Sequence, residues 1–335
     1  MLSNLPSLVK KVLGRLPDDD YPKLTTRLFA SIWLNYVLDP GIESMRGLFQ
    51  QLNLQGIEID ISTFSKASNH RDPKILERIF EELNRELKRN NPNKNLGFFP
   101  VDSTIVTLTS KLLWTLGIHQ LKLFAGLDSL TSEVGGVHLH FGNGHDSKYG
   151  EETLDATPVN RVLMMDRGFC KLERIEQLLG EEERYFLMRL NLNTTLESRE
   201  NGIYQIGKQG ELLARVIVFR DEKGKEYRLV TNLPSSGESG FTDEEVKELY
   251  RQRWQIELLW KFLKMHLKLD RIITKNTNGI TLQVYASLIA YLFLQLLEVA
   301  SFVGQKILDK LRCLLSFMKS EKSFVHWFDK LAFSN

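Results

Sequence analysis

Three carboxylates stand out for where they sit. Asp102 lies inside the apolar, β-branched run GFFPVDSTIV at 97–106, and Asp166 ends VLMMD, just before Arg167 and Gly168. An anion in or at the edge of an apolar strand is costly unless it is paired, hydrogen-bonded or bound to a cation. Glu257 is the third, within LYRQRWQIELLWKFLKMHLKLD at 249–270. That stretch has no Pro or Gly and follows Asp243, Glu244 and Glu245, which suit a helix start. At about 100° per residue, Tyr250, Arg253, Glu257, Lys261 and Lys264 fall within about 80° of one another. The pattern predicts one long, largely buried helix with a single polar stripe, Trp254 and Trp260 belonging to its core side.

Such a trio of carboxylates can hold two divalent ions about 3.5–4 Å apart, clamping the attacking and leaving oxygens of a phosphodiester exchange. Oxygen-only ligands favour Mg²⁺, or Mn²⁺ in its place, over zinc. The basic stripe suits the phosphate backbone such ions attack: Arg253 as a fork, Lys264 as a point charge with Lys261 beside it, Tyr250 through its hydroxyl. A plainer reading is a solvated face with Arg253–Glu257 and Glu257–Lys261 pairs. A glycosidase pair of carboxylates would explain neither a third acid nor the stripe. Arg167 can reach phosphate or pair with Asp166, and Lys122, on a strand near the sheet centre, can project toward DNA. His145 and Asp146 form another near-site pair, or a plain loop, and His138 and His140 read as half-exposed strand residues.

The elements that must position these residues follow from the same patterns. Residues 1–94 read as a helical domain. Two short helices around a turn, the second carrying Lys66, Asn69, His70 and Arg71, could form a helix-turn-helix DNA reader. From 95 to 190 the pattern gives a strand, two further strands of a meander, a short helix, the strand RVLMM, a helix and the strand RYFLMRL. A β-rich insertion occupies 191–240, the Glu257 helix 241–275, and apolar helices 276–335. The fold class is α/β, a mixed sheet with helices on its faces. At 42% hydrophobic, 26% charged and a net charge of +2, the 335-residue chain has an ordinary globular composition. Cys170 and Cys313 show no metal spacing and fit a reducing, cytoplasmic setting. The first residues do not read as a signal peptide, and Val284–Leu297 reads as a buried core helix and not a membrane span.

Tyr250, Arg253, Glu257 and Lys264 match the Y-x2-R-x3-E-x6-K signature of insertion-sequence-four-type transposases, the DDE recombinases of bacterial mobile elements. VDST around Asp102 and MDRGF around Asp166 resemble that family's two aspartate motifs, and the β-rich insertion is similar to theirs. The resemblance spans about residues 95–300. It implies a ribonuclease-H-like catalytic domain with Asp102, Asp166 and Glu257 as metal ligands. It also implies cut-and-paste transposition near the bacterial nucleoid: cleavage at the terminal inverted repeats of double-stranded DNA, a hairpin, and strand transfer to target DNA by a homodimer. Tyr250, Arg253 and Lys264 would hold the terminal phosphates. Hairpin-forming relatives can stack a flipped base on an insertion-domain Trp; here the insertion has none, and Tyr204 or Tyr227 is the substitute. Two other readings on this sequence are a decayed copy that binds DNA without cutting and a structure-specific nuclease on the same fold.

Overall fold

The helical periodicity of the N-terminal region is realised as α1 (Leu5–Leu13), α2 (Thr26–Leu38), α3 (Met45–Leu54), α4 (Ile61–His70) and α5 (Lys74–Asn90). Thr25 and Ser44 cap α2 and α3, each accepting from the backbone N–H three residues on. α5 buries Leu76, Ile79, Phe80, Leu83 and Leu87 at helical spacing. The computed structural model describes residues 2–19, 21–92, 95–181, 184–207, 212–235, 240–320 and 326.

On α4, Phe64 and Ser68 are buried while Lys66, Asn69 and His70 are exposed. Arg71 corrects the expectation of a DNA contact at that position. Its guanidinium is buried, donates to the Leu24 carbonyl, and sits 4.2 Å from the Tyr21 ring centroid and 4.7 Å from that of Phe29. Burial holds its pKa below the usual arginine range. The residue locks the α1–α2 connection onto the end of α4, which an arginine beside two aromatic faces does well. Arg71→Ala should therefore lower stability by about 2–4 kcal/mol in chemical denaturation, through a lost charged hydrogen bond and two ring contacts. Unchanged stability with weakened DNA binding would restore Arg71 to the DNA surface.

The chain continues through β1 (Gly97–Thr107), α6 (Lys111–Thr115), β2 (Gln120–Leu127), β3 (Val134–Phe141), α7 (Asp146–Tyr149), α8 (Glu151–Asp155), β4 (Arg161–Met165), α9 (Leu172–Gly180) and β5 (Phe186–Arg189). Then come β6 (Leu196–Ser198), β7 (Ile203–Ile206), β8 (Leu213–Arg220), β9 (Glu226–Thr231), α10 (Asp243–Arg251), α11 (Trp254–His266), α12 (Thr277–Leu296) and α13 (Ile307–Ser320). The strands form a nine-stranded sheet in the order β3-β2-β1-β4-β5-β9-β8-β7-β6. β1, β4 and β5 run parallel, and β9 adds antiparallel to β5. The β-rich insertion thus prolongs the same sheet. β4 shows why the sheet needs helices on both faces. Leu163 and Met165 pack with Ile175 and Leu178 of α9, whereas Val162 and Met164 pack with Val246 and Tyr250 of α10. A parallel strand buried on both sides reads as the continuous apolar run RVLMM.

The described residues divide into two units: up to 90, 106–119 and from 261 on in one; 91–105 and 120–260 in the other. In the first unit α12 is apolar all round and packs against α2, α4, α5 and α13. It is long and apolar enough to cross a membrane, but 89% of its apolar window is buried within the protein. Its few polar residues have internal work. Gln283 donates to the carbonyls of Lys268 and Arg271, and Ser287 to that of Leu267, satisfying the turn that follows α11.

The expected single helix over 249–270 is instead two. α10 begins at a capping box, Thr242 with Glu245, so the acidic residues form its first turn. At Gln252 and Arg253 the backbone tightens: Gln252 N–H bonds Leu249 O at 2.9 Å and Arg253 N–H bonds Tyr250 O at 3.1 Å. These three-residue bonds interrupt the α ladder without Pro or Gly. The break turns Tyr250 inward and leaves Trp254, expected in the core, 56% exposed; Trp260 is buried.

Candidate active site

β1 and β4 pair in parallel register from Gly97↔Arg161 to Val101↔Met165. Asp102, within β1, and Asp166, just past the end of β4, occupy the next position on each chain, so the register brings the two residues next to each other where that pairing stops. By alternation Asp102 shares a face with Phe98, which packs in the cluster containing Tyr250 of α10. α10 therefore covers the face on which Asp102 lies. Burial pushes the Asp102 carboxyl up to about 6; Glu257 and Asp146 push the same way, while the Ser103 N–H and Arg253 oppose.

Asp166 accepts from the Tyr250 hydroxyl at 3.2 Å and lies 3.7 Å from a guanidinium nitrogen of Arg189. Tyr250 also reaches the Met165 carbonyl at 3.4 Å. Burial, then the Asp166 charge, raises the phenol well beyond its ordinary range, so it serves as a hydrogen-bond donor. Glu257 accepts from Arg253 at 2.5 Å across one helical turn. Burial pulls the Arg253 pKa down, but Tyr250, Glu257 and Asp166 outweigh it and hold the group above its usual value. In this unit Asp102, Asp166, Tyr250, Arg253 and Glu257 thus form one electrostatically coupled group.

The remaining sequence-predicted residues divide. Lys261 is exposed and Lys264 half-buried on the stretch of α11 in the first unit. Arg167 is exposed and has no ion-pair partner among the described residues. Lys122 does not project outward: it is buried, 2.7 Å from Asp146 and donating to the Gly144 carbonyl at 2.8 Å. Tyr204 packs against the core cluster that contains Ile206 and Ile175. Tyr227 lines a cleft of about 880 Å³ with Arg189, Phe219, Tyr250, Arg253 and Trp254. Its ring already stacks on Phe219 at 5.3 Å and carries Arg189 at 4.2 Å. A base would have to displace that guanidinium, whereas Trp254 offers an exposed ring to the same cleft. Arg189 escaped the sequence reading although it closes the apolar run RYFLMRL; the argument that singled out Asp102 applies to it equally.

Residues 95–293 match the Transposase DDE domain family. A Synechocystis sp. protein named as the transposase for insertion sequence element IS4SA is 49% identical, over 99% of each chain. The chain belongs to the insertion-sequence-four-type DDE transposases. A Geobacillus stearothermophilus protein named as a transposase for insertion sequence element IS5377 is 27% identical to this transposase, over 70% of it and 66% of the relative. Among solved structures, the piggyBac transposase synaptic complex with hairpin DNA aligns with a TM-score of 0.46 and 11% identity, covering 97% of this chain and 77% of that one. The β3-β2-β1-β4-β5 half of the sheet, with helices on both faces, is the ribonuclease-H-like DDE domain of this family.

A DDE domain uses a divalent metal, and the donor chemistry here fits one. The three carboxylates are hard oxygen donors. Asp102 is an anion whose burial disfavours its charge, the condition a cation relieves. Among the described residues no three His, Cys, Asp or Glu side chains are grouped closely enough to share an ion as they stand. Glu257 is drawn onto Arg253, and Asp166 onto Tyr250 and Arg189, so a metal has protein cations and donors to displace.

Proposed function

We propose that Asp102, Asp166 and Glu257 hold two Mg²⁺ ions, for which Mn²⁺ can substitute, and that this transposase cuts its element's terminal inverted repeats and joins them to target DNA. The observation that supports it most is the register that sets Asp102 and Asp166 side by side, with Arg253 and Glu257 coupled to Asp102. When bound, the ions supply Lewis-acid stabilisation of the attacking and leaving oxygens. The protein's own residues do the rest. Tyr250, kept protonated, donates to Asp166 and fixes its orientation. Arg253 is shared between Glu257 and an incoming phosphate, which its fork can grip. Arg167 is a further phosphate contact in the same unit; in the other unit Lys261 and Lys264 of α11, and Lys66, Asn69 and His70 on the exposed edge of α4, are assigned to DNA. Two ends are held together by two copies of the chain. The freed 3′-hydroxyl attacks the opposite strand to close a hairpin, and Trp254 and Tyr227 wall the cleft where an unstacked base would lie.

The test is Mg²⁺-dependent nicking of a duplex carrying the element's own end, with Asp102→Ala as control. Nicking at the end that the control lacks supports the reading; specific binding without cleavage at any metal concentration points to a DNA-binding protein that does not cut. Arg253→Ala should weaken end retention about 10- to 100-fold, the worth of one charged hydrogen bond to phosphate. Dissociation of an end duplex against a random duplex measures it, and equal off-rates for variant and wild type would remove Arg253 from the site.

A further inference from the structure

The ladder between β1 and β4 ends at Val101↔Met165, one residue short of both aspartates. Contacts beyond that ladder must therefore fix the backbone that carries Asp102 and Asp166. On the opposite face of the sheet from Asp102, Ser103 points toward α7, and its hydroxyl donates to Asp146 Oδ1 at 2.5 Å. Lys122 Nζ lies 2.7 Å from the same oxygen and is anchored by the Gly144 carbonyl at 2.8 Å. The other oxygen of Asp146 lies against the Asp166-Arg167-Gly168 turn, so closely that a Cβ on Gly168 would fall 2.9 Å from it. One carboxylate thus touches the residue after Asp102 and the residue two after Asp166, and a buried amine neutralises it from β2.

We propose that Asp146, held by Lys122, is a clamp that positions the two aspartates for the metal ions. Asp146 and Lys122 are positioning residues: they touch neither phosphate nor metal and act through the backbone of 102–103 and 166–168. The charge of Asp146 is also cancelled where it would otherwise compete for the ions. A Cβ at Gly168 would crowd the second oxygen of Asp146, so the glycine of MDRGF leaves that carboxylate undisturbed, and the pairing with Asp146 turns the lysine of β2 inward. The inference rests on Asp102 and Asp166 being metal ligands.

The experiment uses the full chain and two readouts: Mn²⁺ binding, from the EPR signal of free Mn²⁺, and end cleavage at saturating Mg²⁺. Asp146→Ala should raise the Mn²⁺ concentration for half-saturation by about 10- to 100-fold, the usual effect of removing a partner that orients metal ligands. End-duplex binding without metal stays as in wild type. Ser103→Ala should shift Mn²⁺ binding in the same direction by a smaller factor, Ser103→Thr, which keeps the hydroxyl, should restore it, and the Ser103→Ala/Asp146→Ala pair should equal Asp146→Ala alone. Wild-type Mn²⁺ binding in both alanine variants, or independent effects in the double variant, overturns the clamp. Should Asp146→Ala not fold, the Ser103→Ala and Ser103→Thr pair decides: a loss restored by Thr supports the clamp, and no loss overturns it. Asp102→Ala separates the two levels. If it binds Mn²⁺ like wild type, the ligand assignment fails; if it loses Mn²⁺ while the clamp variants do not, only the clamp fails.

Discussion

Glu257→Gln abolishes strand cleavage, a drop of roughly a thousandfold or more, while DNA-end affinity stays within about threefold of wild type. The size follows from the role proposed for Glu257 as a metal ligand. A metal ion's stabilisation of charge in a phosphodiester transition state is worth several kcal/mol, and each 1.36 kcal/mol is tenfold in rate. The glutamine keeps the shape of the side chain and an acceptor for the Arg253 guanidinium, which Glu257 engages at 2.5 Å, so the helix should be undisturbed. It removes the negative charge an ion needs and that Arg253 balances. With that charge gone, Arg253 is released toward phosphate, so end binding should hold or strengthen slightly. Single-turnover nicking of a labelled end duplex, beside a gel-shift titration, measures both. Equal loss of binding and cleavage would mean that Glu257 supports the helix and not the chemistry.

Asp102→Asn also eliminates cleavage, and it makes the metal-free protein more stable above pH 6. The direction comes from burial. Asp102 has its carboxyl raised from 3.8 to about 6 in the folded protein, so the folded state holds a proton that the unfolded chain has already released. The stability this confers is present at low pH and is lost as pH rises through about 6. Above that, wild type carries a half-buried anion, whereas the asparagine variant carries none. The difference between 3.8 and about 6 corresponds to at most about 3 kcal/mol at 1.36 kcal/mol per pH unit. Urea unfolding in chelator should show the two proteins close at pH 4 and separating until about pH 7. Added Mg²⁺ should narrow the gap by binding the folded wild type only. Parallel stability curves across that range, with no metal effect, would show that Asp102 is neither half-buried as an anion nor a ligand.

Asp102, Asp166 and Glu257 were legible as candidates in the sequence, because a carboxylate in an apolar run is conspicuous and the spacing of Tyr250, Arg253, Glu257 and Lys264 is specific. Periodicity likewise placed RVLMM as a strand and α5 as an amphipathic helix. What periodicity cannot register is a change of direction made by the backbone alone. No Pro or Gly announces the turn at Gln252 and Arg253, which rests on two three-residue hydrogen bonds. It decides that Tyr250 points into the sheet and that Trp254 faces out.

The same holds for partners distant in sequence. Arg71 has the exposed-looking setting of a DNA contact until Tyr21 and Phe29 fold over it. Lys122 has the charge of a phosphate ligand until Asp146 meets it inside the protein. A charged side chain's role depends on whether water or a counter-charge surrounds it, and both are set by chain segments tens of residues away. By itself the sequence determined the chemistry on offer, an acidic trio beside a basic stripe on an α/β sheet, since residue type and local period carry that much. Only the tertiary structure decided which charges stay exposed and which are buried or paired, because pairing and burial are properties of the packed chain.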